Sequence, residues 1–241
     1  MKNVIIIPTY NERENIKALI PLIFKITSDI RVVVVDDNSP DGTSNTVLEL
    51  SRQYPNLCLI SRPVKKGLGQ AYINAFAEVL EDREVRTIIM MDADLSHEPK
   101  YLPEMIKKRE KFEVVVGSRY IKGGGTVGWE IWRRVLSFLG NFYCWIITGM
   151  PIHDCTGGFN VISADLMRKI DLSKLDMSGY AFIMQLKYLL YKAGATFIEV
   201  PIIFQNRSQG QSKISSHIIS EGVLAPWKMI MREYGLISSP Q

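Results

Sequence analysis

Cysteine is scarce. Cys58, Cys144 and Cys155 are odd in number and spaced unlike any zinc or iron–sulfur ligand set, so neither a disulfide framework nor a thiolate metal site is expected. The three histidines, His97, His153 and His217, also lack ligand spacing. Long hydrophobic runs are missing: Val135 to Met150 is the longest, it is broken by Asn141, and it falls short of the roughly 20 residues that cross a bilayer. No signal peptide is expected, because the N-terminus runs straight into a strand-like segment, Asn3–Ile7. No repeat or low-complexity tract occurs. A strong charge is absent as well: the net charge of +4 and pI near 8.9 suit an anionic substrate or an acidic membrane surface. The Lys and Arg residues are scattered through Glu-bearing helices without a recognition motif, and no nucleic acid partner is expected. The first strand is not followed by Gly-x-Gly-x-x-Gly; its turn holds Pro8, Tyr10 and Glu12, and Gly67-Leu68-Gly69 lacks the third glycine. With the P-loop pattern also missing, dinucleotide oxidoreductases and P-loop NTPases drop out.

With 46% hydrophobic and 22% charged residues the composition is that of a globular chain, read as one domain over 1–241. Short β-rich runs at Val4–Ile7, Arg31–Val35, Leu57–Ile60, Thr87–Met91 and Glu113–Val116 alternate with helical patterns at Glu12–Thr27, Thr43–Arg52, Leu68–Glu81 and Pro99–Glu110. Runs such as Arg31-Val-Val-Val-Val35 are continuously apolar, as strands buried on both faces are. The expectation is an α/β fold, a three-layer α/β/α sandwich with a mainly parallel central sheet. The second half is less regular. A glycine loop at 123–125, a helix near Trp129–Ile147, a strand near Phe159–Ile162, a helix near Phe182–Lys192, a strand near Phe197–Phe204, the polar loop 205–216 and an amphipathic helix over 217–241 are expected.

Ligands of open α/β sheets bind beyond the carboxyl ends of the strands, and those ends are polar here. Asp92-x-Asp94 is the sharpest feature. Alternate strand residues point to one side, so two carboxylates can face one point, where they repel unless a cation lies between them. Hard oxygen ligands suit Mg2+ or Mn2+ completed by phosphates and water; a helix cap by Asp94 or Ser96 explains only one of the acids. Asp37 is expected to hydrogen-bond a nucleotide base or ribose, whereas Ser39 to Thr43 read as a turn with Asp41 or Thr43 capping the next helix. Arg207 and Lys213, in the polar loop with Gly210, could close over a diphosphate or belong to an ordinary solvated loop. Trp129, Trp132, Arg133, Arg134, Phe138, Phe142, Tyr143 and Trp145 crowd one segment, as in a helix lying in a membrane interface, with about half of them expected to pack inward. Asp154 either contacts sugar or orders the turn Thr156-Gly157-Gly158.

The ordered set Pro8-Thr9-Tyr10-Asn11-Glu12, Asp37 to Thr43, Gly67 to Tyr72, Met91 to His97, Gly117-Ser118-Arg119-Tyr120, Gly128-Trp129, Arg133-Arg134, Thr156 to Phe159, Gly179-Tyr180 and Glu199 to Ile202 resembles glycosyltransferase family 2, and within it the dolichyl-phosphate mannosyltransferases. The resemblance covers nearly the whole chain. It implies a GT-A fold that moves mannose from GDP-mannose, with Mg2+ or Mn2+, to the phosphate of a membrane polyprenyl phosphate, with inversion. It places Pro8, Tyr10, Glu12, Val35 and Asp37 on the nucleotide, and Asp92, Ala93, Asp94 and Ser96 at the metal and diphosphate. Arg119, Arg207 and Lys213 would meet phosphates, and Arg133 and Ser137, with Arg119, the acceptor phosphate. Residues 1–118 would then be the donor half and 119–216 the acceptor half. Where many members carry Phe-Gln-x-Glu, this chain reads Phe182-Ile183-Met184-Gln185. A hydroxyl acceptor needs a general base; a phosphate monoester, with a second pKa of about 6, is already an oxyanion, so no protein base is expected. The expected location is peripheral, on the cytoplasmic face of a membrane, held directly or through an anchoring membrane subunit. The rival readings are the same reaction with glucose or N-acetylglucosamine from a UDP donor, and a non-catalytic nucleotide-binding subunit of a membrane complex.

Overall fold

A computed structural model of the chain describes residues 2–206 and 216–237. The elements follow in the order β1 (Lys2–Thr9), α1 (Arg13–Ile26), β2 (Arg31–Asp36), α2 (Thr43–Ser51), β3 (Leu57–Ser61), α3 (Leu68–Glu81), β4 (Val85–Met90), α4 (Leu102–Arg109) and β5 (Val114–Ser118). Then come β6 (Gly125–Val127), α5 (Ile131–Thr148), β7 (Asn160–Ser163), α6 (Ala164–Met167), α7 (Gly179–Lys192), β8 (Phe197–Pro201), β9 (Ile203–Gln205) and α8 (Ser216–Glu233).

Seven strands form one sheet in the order β3-β2-β1-β4-β7-β5-β8. Its pairs are parallel except where β7 runs antiparallel between β4 and β5. The apolar runs explain the layers. Along β1, Val4 and Ile6 join one buried cluster with Tyr72 and Phe76 of α3 and Phe182 of α7. Ile5 and Ile7, one residue out of phase, join a second with Ile16 and Leu19 of α1 and Leu102 of α4. Both sheet faces are therefore covered, which is why the strands read as unbroken hydrophobic runs.

Three features depart from the expectation. Gly125 to Val127 is not only a loop: it is β6, which pairs in parallel with β9 in a small second sheet. The run Phe197–Phe204 is not one strand. Beyond Pro201 the partner strand β5 has ended, Ile202 N–H donates to Ser118 O at 3.0 Å, and the chain turns to pair with β6 instead. Finally, β5 and β7 meet at a tight neck, where Gly117 N–H donates to Phe159 O at 2.9 Å. A Cβ at 117 would lie 3.2 Å from Ile202 and 3.3 Å from Phe159, so glycine is the residue that fits.

Helix α5 is inverted relative to a soluble surface helix. Its buried residues are Asn141, Cys144 and Thr148, while Ile131 (79% exposed), Trp132, Phe138, Leu139, Phe142 and Ile146 face outward. On the neighbouring α8, Leu224 and Trp227 are exposed too. The expectation that about half of the aromatics in this segment pack inward overstates their burial, although Trp129 is buried. Among the described residues no helix is long and apolar enough to cross a membrane.

A candidate site at the carboxyl rim of the sheet

Among the described residues, the three non-glycine positions with positive φ are Asn11 (59°), Asn38 (55°) and Leu95 (63°), each just after a strand: β1, β2 and β4. Backbone held in the left-handed region is sparsely populated for such residues and gathers where loops must turn sharply beside a ligand site. The rim of the sheet is therefore the candidate site.

At the exit of β2, Asp36 is a wholly buried organiser. It accepts from the Thr9 hydroxyl at 2.9 Å, from Ser39 N at 3.0 Å and from the Ser44 hydroxyl at 2.6 Å. Asp41 accepts from Thr43 N at 3.0 Å and from Arg13 N at 3.1 Å, tying the β1 and β2 turns together. The cap position of α2 itself is Gly42, so Asp41 acts from one residue upstream of it. Its carboxyl is held below the ordinary range because these hydrogen bonds outweigh the upward push of burial. Asp37 lies 2.8 Å from Arg62 Nη1, both groups buried, in a contact that is close but not aligned as a hydrogen bond. Arg62, directly after β3, is a rim residue that the sequence reading missed; its place after a strand was the available signal. The Tyr10 ring carries Lys65 Nζ at 3.5 Å from its centroid. Glu12 accepts from Asn15 at 2.6 Å. Val35 and Ala93 are different from the other expected nucleotide contacts: both side chains are packed in the core, so only their backbones reach the rim.

Asp92 and Asp94 lie beyond the last residue of β4, so strand alternation does not orient them; the turn through Leu95 does. Asp92 is a third exposed. Asp94 is buried, and its Oδ1 accepts from Ser96 N at 3.1 Å and from the Ser96 hydroxyl at 2.5 Å. Ser96, expected as a metal ligand, thus directs its hydroxyl at Asp94. His97 Nδ1 accepts the Asp92 N–H at 3.0 Å, and its ring stacks on Phe159 at 5.0 Å, which makes it a buried brace for the turn. Across from Asp92 stands Gly158, where a Cβ would sit 3.7 and 3.8 Å from the two Asp92 oxygens. Two hard carboxylates in one turn fit a divalent cation whose other positions are filled by phosphate oxygens and water. Among the described residues no third acidic, His or Cys side chain joins them.

The exit of β5 is dominated by Arg119. Its Nε and Nη2 donate to Asp154 Oδ2 and Oδ1, each at 2.8 Å, its own N–H donates to Oδ2 at 3.0 Å, and Nη2 also donates to the Thr156 hydroxyl at 2.9 Å. Among the described residues, the side-chain hydrogen bonds of Arg119 run through Nε and Nη2 and leave Nη1 without a partner. Burial opposes the charge of both partners, yet each restores the other: Arg119 is raised above, and Asp154 held below, its usual pKa. Asp154 also accepts from Gly157 N at 2.8 Å; a Cβ at 157 would collide with its carboxylate at 2.9 Å. Of the two roles open to Asp154, turn ordering is the one its bonds satisfy. Beneath the turn lies Lys187, whose ammonium donates to Asp154 O at 2.8 Å and Gly157 O at 2.9 Å. Burial lowers its pKa to about 8, against the pull of Asp154. Lys187 was also missed, since a lone lysine in an apolar helix reads as a solvated one.

On α5, Arg133, Ser137 and Asn141 recur every fourth residue and share one face. Ser137 accepts from Tyr120 OH at 2.6 Å, and Asn141 both receives from Thr156 N at 3.0 Å and donates to the Thr156 hydroxyl at 3.1 Å. Arg119, Arg133 and Ser137 therefore come together, as expected. They line one cavity of about 170 Å³ whose other walls include Trp129, Met184 and Val223; no carboxylate lines it. Gln185, where many relatives carry an acid, is instead spent on the chain: it accepts from Asp176 N and Met177 N at 3.1 Å. Arg207 and Lys213 lie outside the described residues.

Comparison with known proteins agrees with this geometry. The family described as glycosyl transferase family 2 matches residues 4–171. An undecaprenyl-phosphate mannosyltransferase of Micrococcus luteus is 36% identical over 238 residues, 98% of each chain. A polyprenol monophosphomannose synthase of Mycolicibacterium smegmatis is 37% identical over 231 residues, covering 94% of this chain and 86% of the relative. Among solved structures, glucosyl-3-phosphoglycerate synthase from Mycobacterium tuberculosis, in complex with Mn2+, UDP and glucosyl-3-phosphoglycerate, superposes with a TM-score of 0.66 at 15% identity, over 99% of this chain and 81% of that one. That likeness is one of fold, and the fold is GT-A-like.

Proposed function

The chain belongs to glycosyl transferase family 2, and from that premise we propose that it transfers mannose from GDP-mannose to the phosphate of a polyprenyl phosphate, with inversion at the anomeric carbon. The observation that carries the acceptor class is the cavity at Arg119 and Arg133: two guanidiniums and a serine share its lining with apolar side chains, and no acid is among its described lining residues. A hydroxyl nucleophile would need a base there. A phosphate oxyanion needs only to be gripped and aimed, which the planar guanidinium fork does well.

In this reading a phosphate oxygen attacks the anomeric carbon, the bond from that carbon to the nucleoside diphosphate breaks, and its electron pair leaves with the diphosphate. No proton changes hands. Asp92 and Asp94 would hold Mg2+ or Mn2+, which supplies the counter-charge to the departing diphosphate. Pro8, Tyr10, Glu12 and Asp37 would line the nucleotide at the exits of β1 and β2, with Val35 and Ala93 contributing backbone only. Arg119, fixed on one edge by Asp154, would turn its remaining Nη1 to phosphate, and Arg133 and Ser137 would complete the acceptor grip. Arg207 and Lys213 are assigned to the donor diphosphate by the family resemblance alone.

The inverted helix α5 and exposed Trp227 support a peripheral seat on a membrane, where apolar residues enter the interface and Arg134 and Lys228 meet anionic headgroups. The functional test is transfer from labelled GDP-mannose, UDP-glucose and UDP-N-acetylglucosamine to undecaprenyl phosphate in vesicles. Mannolipid formed from GDP-mannose alone is the expected result; product from a UDP donor alone would overturn the sugar, and transfer to undecaprenol itself would overturn the acceptor.

A further inference from the structure

Among the described residues, the Trp129 indole N–H finds no acceptor. The residue is 9% exposed and its Nε1 is buried without a hydrogen-bond partner. Buried indole N–H groups ordinarily find an acceptor, and an orphan in a native site calls for an explanation. The ring sits among cations: Arg133 Cζ lies 4.0 Å and Arg119 Cζ 5.6 Å from its centroid. One indole thus touches both arginines of the acceptor cavity, of which it is itself a wall.

The backbone holds it there. Trp129 follows β6, which is fixed by its ladder to β9 and by Asn206 N donating to Val127 O at 3.0 Å. Gly128 adopts φ +76°, and a Cβ on it would come within 2.9 Å of Asn206 Cβ, so the turn that presents Trp129 depends on glycine. Phe204 of β9 packs edge-on against the ring at 5.5 Å. The small second sheet serves to deliver this one side chain to the two arginines.

We infer that Trp129 is a third phosphate-binding residue of the acceptor site: its ring sets the spacing of Arg119 and Arg133, and its N–H donates to the anion they hold. The inference rests on the reading of that cavity as a phosphate site. A guanidinium stacked on indole meets an anion with its N–H edge and not with its face, and a neutral donor beside two guanidiniums adds direction without adding charge.

Trp129→Phe keeps an aromatic ring and removes the donor. In the full-length protein, with farnesyl phosphate as a soluble acceptor, its KM for acceptor should rise roughly tenfold or more, the scale of a lost hydrogen bond to a charged group. Affinity for GDP-mannose and the thermal midpoint should stay unchanged. A direct reading comes from the indole 1H–15N signals, with Trp129 assigned by its absence in the variant: farnesyl phosphate or inorganic phosphate should move that signal. Unchanged acceptor KM in an active W129F enzyme, or an indole signal that neither phosphate moves, would overturn the inference. Should farnesyl phosphate serve as no acceptor at all while inorganic phosphate still moves the signal, the acceptor assignment falls and the Trp129 anion site stands.

Discussion

Arg119 and Asp154 meet side by side, two nitrogens against two oxygens at 2.8 Å each, in a place where neither is open to water. An acid so engaged cannot take a proton from a substrate. Its work is to fix one edge of a guanidinium so that Nη1 is the edge left over.

Asp154→Asn should therefore leave a buried positive charge without its partner and lower stability by about 3–5 kcal/mol, with transfer failing alongside folding. Urea unfolding checks it. A general base would behave otherwise: turnover would fall 10²–10⁴-fold with the unfolding midpoint unmoved, and that pattern would falsify the base-free mechanism.

Lys187 gives a signed pH effect. Its pKa is about 8 in the folded protein against 10.5 for an ordinary lysine, so between those pH values the unfolded chain binds more protons. Stability from this group is present above the unfolded pKa and is lost as pH falls through about 8. Wild type minus Lys187→Met should show unfolding free energy rising with pH across that window. A flat difference would mean that the lysine is not buried as a charge.

Asp92→Asn or Asp94→Asn should abolish transfer, as should EDTA, with Mg2+ or Mn2+ restoring the wild type. The two variants should differ in stability: Asp94 anchors Ser96, so its loss should lower the thermal midpoint more than loss of the more exposed Asp92. Activity that persists in EDTA would remove the cation from the mechanism.

Arg133→Ala should raise the acceptor KM while leaving GDP binding in place, measured by calorimetry beside steady-state kinetics. Equal loss of both would move Arg133 to the donor side.

Trp132→Ser combined with Trp227→Ser, both exposed and outside the described hydrogen-bond network of the rim, should weaken sedimentation with anionic vesicles by roughly tenfold, as burying less apolar surface demands. The variants should keep the wild-type unfolding midpoint. Undiminished vesicle binding would assign the exposed face of α5 to something other than lipid.

Much of the donor half was legible because its signals are local. Val4 to Ile7 and Arg31 to Val35 are too apolar to be anything but strands covered on both sides, and acids placed just past such strands fall on one rim. The direction of β7 was not legible: Val161 and Ile162 fill the middle of a sheet equally well in either sense, and only pairing with β4 and β5 decides. Three residues, Gly125 to Val127, are too few to announce a strand. At the site, Asp92 and Asp94 could be found from their spacing, but not their orientation, which the left-handed Leu95 sets. Asp154 declared itself as an acid before glycines, whereas its partner Lys187 binds carbonyl oxygens, and those leave no mark in a sequence. Ser96 shows the limit of carrying roles by motif, since its hydroxyl already donates to Asp94, whereas Ser137 accepts from Tyr120 and keeps its own O–H to donate.

The neck at Gly117 and Phe159 makes everything between them a closed excursion. The chain departs from β5 and re-enters at β7 across an antiparallel ladder, Val114 to Val116 against Asn160 to Ile162, which the Gly117–Phe159 hydrogen bond closes, so the sheet fixes the two ends of the detour but not its length, and closure cost grows slowly with length. The polar part of the acceptor cavity, Arg119, Trp129, Arg133 and Ser137, thus sits on one exchangeable cassette, while Met184 and Val223 of its apolar wall stay with the fixed frame. A chimera that swaps the whole excursion leaves Asp92, Asp94 and the nucleotide turns untouched, provided the graft brings its own counterpart of the Arg119–Asp154 pair, a strand that pairs with β9 as β6 does, and a turn whose carbonyls Lys187 can hold.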